Sequence, residues 1–566
     1  MTKLFNDPAE FAEEQFSGFL SLYADRLRGV PGGAVGLRSG EPQVAVVVGG
    51  GSGHYPAFCG LVGPGLAAGA VVGNIFTSPS AAQVYSVAKA ADQGRGVVLT
   101  FGNYAGDNLN FGIAAERLRK EGIDTRIVVV TDDIASAPEE DKRRGIAGDF
   151  TVFKVMGAAA AAGLDLDEVE RAGRAANAAT RTLGVAFSGC TMPGADKPLF
   201  TVPEGHLGLG LGIHGEPGIR DEPLPTADEL GRLLVSSLLK EAPDQAGQRV
   251  GVILNGLGTT KYEELFLLWN TVSRELAEAG LEVVDPEVGE LVTSLDMGGC
   301  SLTLMWLTEE LEAYWTADAY TPAYRKQRAA TAALVPAQQQ AGGEAEQEQA
   351  PQATPAALGL AEVVLAGLRT AQQTLHANEQ MLGRIDAVAG DGDHGRGMVK
   401  GIDAALAAAE AAAADGAGGA WLLAKAGQAW AASAGGTSGV LWGAALEAAG
   451  ASLTDGRQDY AETAAVEAVE AFATAMTDLG RATIGDKTLV DALLPFAERL
   501  RTAVGGGSPL PEAWQAAART ATEAAAATAN LKPRLGRARP LAEKSLGTPD
   551  AGATSLGLIV TALGRR

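Results

Sequence analysis

The stretch Val44-Ala-Val-Val-Val-Gly-Gly-Gly-Ser-Gly-His54 joins a run of β-branched residues to a glycine-rich segment that ends in a histidine. Short β-branched runs bounded by glycine are typical of buried strands. A strand that leads into a glycine-rich loop is where open α/β sheets bind their ligands. The segment lacks the glycine spacing of a dinucleotide fingerprint and the Gly-Lys-Ser/Thr of a P-loop. It predicts an α/β sheet with a ligand site of another kind, or a tight turn that carries a solvent-exposed histidine.

The same pattern of short β-branched runs bounded by glycine and polar residues continues from this stretch to about residue 330. Residues 96–100, 126–130 and 250–254 have the composition of further buried strands, and residues 152–162 that of a helix. Alternation of strands and helices predicts an α/β architecture with largely parallel pairing.

A polar segment then divides the chain. The run Gln338-Gln-Gln-Ala-Gly-Gly-Glu-Ala-Glu-Gln-Glu-Gln-Ala-Pro351 is of low complexity and unsuited to a core. We therefore predict a flexible linker at 333–356, between a domain at 1–332 and a second at 357–566. A length of 566 residues also favours more than one domain. The second domain is rich in alanine, and 356–378, 398–414, 461–479 and 510–530 have helical periodicity.

Composition narrows the functional class. The formal net charge is −23, which disfavours nucleic acid or an anionic membrane as a partner because both require basic surface. The three cysteines, Cys59, Cys190 and Cys300, have no metal-ligand spacing and suggest buried thiols in a reducing compartment. The sequence shows no secretory signal and no apolar run long enough to span a bilayer. These features predict a cytoplasmic protein.

Two further loops of the first domain carry polar groups. Asn103, Tyr104 and Asp107 follow a predicted strand, where an amide, a phenol and a carboxylate suit the hydroxyl groups of a small polyol, or form an Asx turn. Residues 208–218 contain five glycines around His214 and Glu216. An imidazole there can act as a base, a metal ligand or a nucleophile toward a carbonyl, and spacing does not choose among these roles.

The second domain carries three carboxylates within eight residues, those of Asp386, Asp391 and Asp393. Carboxylates held together repel each other, and a hard cation such as Mg²⁺ resolves the repulsion; the alternative is a solvated acidic turn. Glycine-marked turns follow at 435–439, 480–489, 536–538 and 547–553. Together these segments predict a nucleotide–magnesium site that has neither the Walker nor the protein-kinase pattern.

On these motifs the chain resembles the ATP-dependent dihydroxyacetone kinases, in which a substrate domain (K) and a nucleotide domain (L) are fused. The motifs are Gly51-Ser-Gly-His54, Asn103-Tyr-Ala-Gly-Asp107, the histidine loop at 212–218 and the three aspartates. The resemblance covers nearly the whole chain. It implies a K domain made of two α/β subdomains, an all-α L domain built as a barrel of antiparallel helices, and a homodimer.

The resemblance also implies roles for individual residues of the K domain. His214 would hold the ketose as a covalent hemiaminal, and His54 would act as general base on the hydroxyl that is phosphorylated. Asp107 would bind and polarise that hydroxyl. The residues that would line the substrate site with them are Gly51, Ser52 and Gly53.

In the L domain, the resemblance implies that the three aspartates hold two magnesium ions against the phosphates of ATP. The residues that would line the nucleotide pocket are His394, Gly395, Arg396, Gly397, Thr437, Ser438, Gly480, Thr488, Leu489, Arg537, Asp550, Ala551 and Gly552.

The expected activity is the ATP-dependent phosphorylation of a terminal hydroxyl of dihydroxyacetone. A hemiaminal requires a carbonyl, so glycerol would be rejected by chemistry rather than by size. One position departs from the family pattern, because Gly102 stands where a lysine usually precedes the Asn-Tyr motif. Its loss removes positive charge near the transferred phosphoryl group and a long side chain. We therefore expect either a slower enzyme or one that accepts D- or L-erythrulose, which is one carbon longer.

Three other functions compete with this hypothesis. A FAD-cyclising lyase would need the nucleotide domain but not His214. A non-catalytic co-regulator would not need His54, His214 and the three aspartates, all of which are present. Phosphoryl transfer from a phosphoprotein of a sugar-uptake system is disfavoured, because there the two domains are separate chains.

Overall fold

The computed structural model describes residues 2–37, 40–327, 349–434, 436–535 and 539–565. The chain forms two compact units, Met1–Ala337 and Gln338–Arg566. Most of the predicted linker, 333–348, lies outside the described residues. Its last residues lead into a helix that begins at Pro355, where the Thr354 side chain accepts a hydrogen bond from the backbone N–H of Ala357.

The first unit contains two sheets, and the first of them has six strands in the order β1-β2-β4-β3-β5-β6. These strands are β1 (Leu27–Val30), β2 (Gly33–Gly36), β3 (Ala45–Ser52), β4 (Gly69–Ile75), β5 (Val97–Gly102) and β6 (Thr125–Val130). Strands β4, β3, β5 and β6 are parallel, and β1 and β2 add an antiparallel edge. The strands predicted near 44–48, 96–100 and 126–130 are therefore confirmed as the neighbours β3, β5 and β6.

Helices cover both faces of this sheet. They are α1 (Phe11–Leu22), α2 (Ala81–Ala91), α3 (Ala105–Lys120), α4 (Asp149–Ala161) and α5 (Leu166–Ala179). Val46 and Val48 of β3 share a buried cluster with Phe150 of α4. The alternate residue Val47 shares another cluster with Phe111 of α3. Burial on both faces explains the continuous valine run, which is typical of parallel strands inside an α/β fold.

The second sheet has seven strands, in the order β11-β10-β13-β7-β8-β9 with β12 also paired to β10. Its strands are β7 (Thr180–Ser188), β8 (His206–Leu209), β9 (Arg220–Pro223), β10 (Arg249–Gly256), β11 (Glu282–Val283), β12 (Glu287–Gly289) and β13 (Gly298–Trp306). The strand predicted at 250–254 is confirmed as β10. The expectation of largely parallel pairing is wrong here, since β10, β13, β7, β8 and β9 pair antiparallel. Antiparallel neighbours need no helical crossover, and β8 and β9 are joined by a glycine-rich loop.

The remaining elements of this unit are α6 (Ala227–Lys240), α7 (Tyr262–Glu278), α8 (Glu309–Trp315) and a hairpin of β14 (Ala319–Tyr320) with β15 (Arg325–Lys326). Leucines and valines of α6 and α7 pack on β7, β10 and β13 in one buried cluster. The two α/β subdomains expected from the resemblance are thus confirmed as two helix-covered sheets.

The second unit is helical. The described residues form eight α-helices: α9 (Pro355–Asp386), α10 (His394–Ala414), α11 (Gly419–Ala434), α12 (Gly436–Leu453), α13 (Glu462–Gly480), α14 (Val490–Gly505), α15 (Leu510–Ala527) and α16 (Ala551–Leu563). Each helix contacts the next, and α16 contacts α9, so the ring closes. This arrangement confirms the expected helical barrel, and its four predicted helical segments correspond to α9, α10, α13 and α15.

Small residues allow close approach between neighbouring helices of the barrel. A Cβ added to Gly427 of α11 would lie 2.5 Å from the carbonyl oxygen of Gly443 of α12. Alanine and glycine therefore let α11 and α12 pack almost backbone to backbone. Within the described part of the chain, every helix falls short of the length and apolarity needed to cross a membrane.

Candidate active site

The glycine-rich segment of the first sheet is strand rather than loop as far as Ser52. Strand β3 pairs in parallel with β4 through Gly49, Gly50 and Gly51. A Cβ at Gly51 would lie 2.6 Å from the backbone nitrogen of Thr77, and one at Gly53 would lie 2.8 Å from the Phe76 ring. The glycines leave room for the segment at Phe76 and Thr77. Local composition does not reveal that contact, and for this reason the sequence suggested a loop.

His54 follows this strand and is buried. Its Nδ1 lies 2.7 Å from the carbonyl oxygen of Thr293. A carbonyl only accepts, so Nδ1 carries a hydrogen and Nε2 is left for other contacts. Burial and the nearby His214 lower the pKa of His54 to about 3. The ring stacks on Phe76, with centroids 5.0 Å apart.

His214 lies in the loop after β8, and its Nε2 is 3.0 Å from Nε2 of His54. Its Nδ1 lies 2.9 Å from Oε1 of Glu216. Burial would raise the pKa of Glu216, but the hydrogen bond from His214 and the charge of that ring lower it to about 2. Because both Nδ1 atoms carry hydrogens, a hydrogen bond between the two Nε2 atoms needs one proton, held between them. The His214 side chain is 22% exposed, so a solute can reach it.

Asp107 lies in the first turn of α3, where its Oδ1 accepts a 2.8 Å hydrogen bond from the Ser78 hydroxyl. Burial raises the pKa of Asp107. The Ser52 hydroxyl at the end of β3 is also buried, and it has no hydrogen-bonding partner among the described residues. Buried polar groups are rarely left unpaired, so Ser52 is suited to the hydroxyl of a ligand.

Asn103 and Tyr104 do not present free polar groups to a polyol, contrary to the expectation from sequence. The Asn103 amide donates to the carbonyl oxygen of Arg143 at 2.8 Å. The Tyr104 hydroxyl donates to that of Gly145 at 3.0 Å. Both side chains therefore hold the segment 141–145. The Tyr104 ring is perpendicular to the His214 imidazole, with centroids 4.9 Å apart.

Gly102 ends β5 beside this segment. A Cβ at Gly102 would lie 3.1 Å from both the carbonyl oxygen of Gly145 and a ring carbon of Tyr104. The position where the family lysine is missing therefore offers no open space at Cβ. Tyr104 and Gly145 fill it instead.

The three aspartates of the second unit meet at the junction of α9 and α10. One carboxylate oxygen from each of Asp386, Asp391 and Asp393 lies within 4.8 Å of the others. Oδ2 of Asp386 is buried and lacks a hydrogen-bonding partner among the described residues. An oxygen of this kind, in an all-carboxylate set, fits a hard divalent cation such as Mg²⁺.

These aspartates open onto a cavity of about 760 Å³. The predicted residues that line it are Asp386, Asp391, Asp393, His394, Gly397, Thr437, Ser438, Gly480, Thr488, Leu489, Asp550, Ala551 and Gly552. Burial lowers the pKa of His394, and its Nε2 lies 3.0 Å from the Ser555 hydroxyl.

Three predicted nucleotide residues are not among those that line the cavity. A Cβ at Gly395 would lie 2.1 Å from the carbonyl oxygen of Glu379, so Gly395 brings α10 against α9. Arg396 is exposed on α10. Arg537 lies outside the described residues.

Other residues of the cavity were missed or misjudged from the sequence. The stacked rings of Trp430 and Trp442, with centroids 5.0 Å apart, form part of an apolar wall, and isolated tryptophans in an alanine-rich segment give no signal of this. Lys487 looked like a cation for phosphate, but its Nζ donates to three carbonyl oxygens, at distances of 2.7–3.1 Å. Lys487 therefore holds Leu531, Ser545 and Thr548 together. Burial raises the pKa of Asp550, whose Oδ1 accepts from the Ala553 N–H, to about 6.

Comparison with known proteins places both units in one family. Residues 17–323 match the Dak1 domain, and residues 388–565 match the DAK2 domain. The chain is 59% identical over 573 residues to the D-erythrulose kinase of Mycolicibacterium smegmatis, covering 99% of this chain and 97% of that protein. It is 56% identical over 572 residues to the L-erythrulose kinase of Pectobacterium atrosepticum, covering 100% and 96%.

A solved structure extends the likeness to the fold. The dihydroxyacetone kinase from C. freundii, crystallised in complex with AMP-PNP and Mg²⁺, aligns with a TM-score of 0.58 and 30% identity, covering 100% of this chain and 99% of that one. With both domains matched along nearly the whole sequence, the chain belongs to the dihydroxyacetone kinase family and is a kinase.

Proposed function

We propose that the protein is an erythrulose kinase, which uses ATP and Mg²⁺ to phosphorylate a terminal hydroxyl of this four-carbon ketose. The observation that carries the proposal is the partly exposed His214 imidazole, whose Nε2 lies 3.0 Å from Nε2 of His54. Identities of 59% and 56% to two erythrulose kinases, against 30% to a dihydroxyacetone kinase, favour erythrulose over dihydroxyacetone, the substrate first expected from sequence.

The first step of the proposal is covalent capture of the ketose. His214 Nε2 adds to the carbonyl carbon and forms a hemiaminal. A substrate without a carbonyl cannot form this bond, and the bond fixes the reacting hydroxyl in place before phosphoryl transfer. The unpaired Ser52 hydroxyl is a partner for one substrate hydroxyl, and Gly51 and Gly53 shape the wall around it.

The second step is activation of the terminal hydroxyl. His54 accepts the hydroxyl proton at Nε2, because its Nδ1–H is hydrogen-bonded to the carbonyl oxygen of Thr293. Asp107 binds the same hydroxyl and polarises it. Burial raises the pKa of Asp107, so this carboxyl shares the hydroxyl proton more readily than a solvated aspartate would.

ATP is assigned to the cavity of the second unit. Asp386, Asp391 and Asp393 would hold one or two magnesium ions, which would neutralise charge on the phosphates. The other predicted residues on the cavity wall would contact the nucleotide. Arg537 remains part of this proposal through the resemblance alone.

A homodimer is also part of the proposal. It would appear in sedimentation as twice the chain mass of 57.7 kDa. A monomer at the concentrations used in the assays would remove this element without affecting the chemistry.

A ketose panel tests the proposed function. ADP release from ATP would be followed with D-erythrulose, L-erythrulose, dihydroxyacetone and, as a control without a carbonyl, glycerol. We expect the highest kcat/KM with one erythrulose enantiomer and no turnover of glycerol. A clear preference for dihydroxyacetone over both enantiomers would overturn the substrate assignment. If the unmodified protein showed no ketose kinase activity and His214→Ala still cleaved FAD, the FAD-cyclising lyase would be favoured instead.

A further inference from the structure

Glu216 binds the ring nitrogen of His214 opposite the one that faces His54. We propose that Glu216, supported by Arg144, is a positioning residue that makes His214 Nε2 the attacking atom and balances the charge of the ring when the sugar is bound. This inference rests on the proposed function, because it assigns the residue that prepares the proposed nucleophile.

The carboxylate of Glu216 holds His214 at two points. Oε1 accepts from the ring Nδ1–H at 2.9 Å, and Oε2 accepts from the backbone N–H of His214 at 3.0 Å. One side chain thus fixes both the position of the backbone and the rotation of the ring. Gly212 leaves room for it, since a Cβ there would lie 2.1 Å from Oε2 of Glu216.

Arg144 holds the carboxylate in turn. Its Nη1 lies 3.8 Å from Oε2 of Glu216, and its Nη2 lies 2.8 Å from Oδ2 of Asp133. The Arg144 side chain is 13% exposed and that of Asp133 is 2% exposed, so these charges are little screened by water. The guanidinium also donates to the carbonyl oxygen of Gly210, two residues before the histidine loop.

The groups that face the His214 ring come from several elements. Apart from Glu216, they are His54 after β3, Tyr104 and Asp107 at the start of α3, and Phe76 after β4. Within the described part of the chain, Glu216 is the one group among them that hydrogen-bonds to Nδ1. It is therefore the group whose charge is placed to fix which nitrogen keeps the hydrogen.

This placement determines the chemistry of capture. A carboxylate accepts only, so Nδ1 keeps its hydrogen and the lone pair for attack belongs to Nε2. The shared proton first passes to Nε2 of His54, which frees the Nε2 lone pair of His214. As the Nε2–carbon bond forms, the carbonyl π pair moves to oxygen, which then takes that proton from His54. The ring becomes an alkylated imidazolium, and the adjacent carboxylate of Glu216 balances its charge. His54 is left neutral, with a lone pair for the hydroxyl proton in the next step.

The test replaces Glu216 with glutamine, which keeps size and an acceptor oxygen but removes the charge. Mass spectrometry of the full chain with erythrulose would measure the rate of adduct formation. We expect Glu216→Gln to slow it by roughly 10- to 100-fold, as for the loss of one charge-assisted hydrogen bond. Arg144→Met should slow it less. Glu222→Gln, the same change on strand β9, is the control and should match the unmodified protein.

A second readout reports the tautomer itself, first in the unmodified protein and then in the variant. The chain has five histidines, so ¹⁵N spectra of the histidine-labelled protein can be assigned with His214→Gln. We expect Nδ1 of His214 to be protonated in the unmodified protein, and its population to divide between the two nitrogens in Glu216→Gln.

Two results would overturn the inference: an Nε2–H tautomer with bare Nδ1 in the unmodified protein, or normal adduct formation in Glu216→Gln. Either result would leave the proposed function standing if the unmodified protein still forms an adduct that His214→Ala lacks. Turnover of erythrulose without any adduct would instead contradict the proposed function.

Discussion

The Tyr104 hydroxyl donates a 3.0 Å hydrogen bond to the carbonyl oxygen of Gly145. Through this contact the segment 141–145 holds a ring that is packed against His214. Gly102 lies under the same contact, and a Cβ at Gly145 would lie 2.4 Å from its Cα. Tight backbone packing therefore takes the place of the absent family lysine and holds an aromatic ring beside His214.

Substitution of Gly102 tests this packing. Gly102→Ala places a Cβ 3.1 Å from Tyr104 and Gly145, so we expect destabilisation by about 1–3 kcal/mol and a lower kcat/KM for erythrulose as the ring moves. Gly112→Ala in α3 is the control: nothing lies within 4 Å of its Cβ, and alanine should stabilise the helix by up to about 1 kcal/mol. Urea unfolding and steady-state kinetics check both. Full activity in Gly102→Ala would show that Tyr104 has no part in shaping the site.

Removal of one acidic ligand tests the metal assignment. We expect Asp391→Ala to weaken ATP binding in the presence of Mg²⁺ by at least about tenfold, since even indirect partners of a metal contribute roughly 10- to 100-fold. Binding measured in EDTA should change little. Asp415→Ala, an exposed aspartate after α10, is the control for titration calorimetry. An unchanged affinity for ATP–Mg²⁺ would contradict a cation held by these carboxylates.

Lys487 should matter for the shape of the nucleotide cavity rather than for phosphate binding. Lys487→Met leaves three carbonyl oxygens without their donor, and each buried acceptor left unpaired costs about 1–3 kcal/mol. We expect a lower melting temperature and weaker nucleotide binding together. Lys544→Met changes an exposed lysine next to Ser545 and should leave both unaltered. Weaker ATP binding with unchanged stability would instead indicate a direct contact between Lys487 and the ligand.

His54 should make the protein less stable in acid. Its pKa is about 3 in the folded chain and 6.5 without the fold, so between these values the unfolded chain binds a proton that the folded chain does not. The free energy of unfolding therefore falls as the pH drops below about 6.5, by up to about 1.4 kcal/mol per pH unit.

The variant His54→Asn removes this contribution to the pH dependence of the free energy of unfolding. We expect a flatter dependence of urea-unfolding free energy between pH 7 and 5 than in the unmodified protein. His206→Asn, on strand β8, serves as the comparison and should keep the original slope. Parallel slopes for His54→Asn and the unmodified protein would mean that His54 takes up a proton without cost while folded.

The sequence revealed those features whose cause is local. Valine runs predicted β3, β5 and β6 because strands buried on both faces are apolar throughout. The aspartate trio was recognisable because its members lie within eight residues. Alanine-rich periodicity predicted the helices of the second domain, and the family resemblance implied their arrangement as a barrel.

Features that depend on distant contacts were not predictable. Thr293, which sets the tautomer of His54, lies 239 residues away in sequence. The Phe76 ring occupies the space that a Cβ at Gly53 would need. Phe76 itself has a left-handed backbone conformation, which the neighbouring residues do not predict. Gly395 and Arg396 were assigned to the nucleotide pocket with their neighbours, but on a helix only every third or fourth residue shares a face, and His394 and Gly397 take that face.

The most direct test of the central claim is native mass spectrometry of the full chain with erythrulose, without ATP, followed by peptide mapping. Addition to a carbonyl expels no water, so we predict a mass gain equal to the whole sugar, located on His214 and absent from His214→Ala. A gain smaller by one water, an adduct on another residue, or no adduct under conditions that support turnover would contradict capture of the ketose by His214.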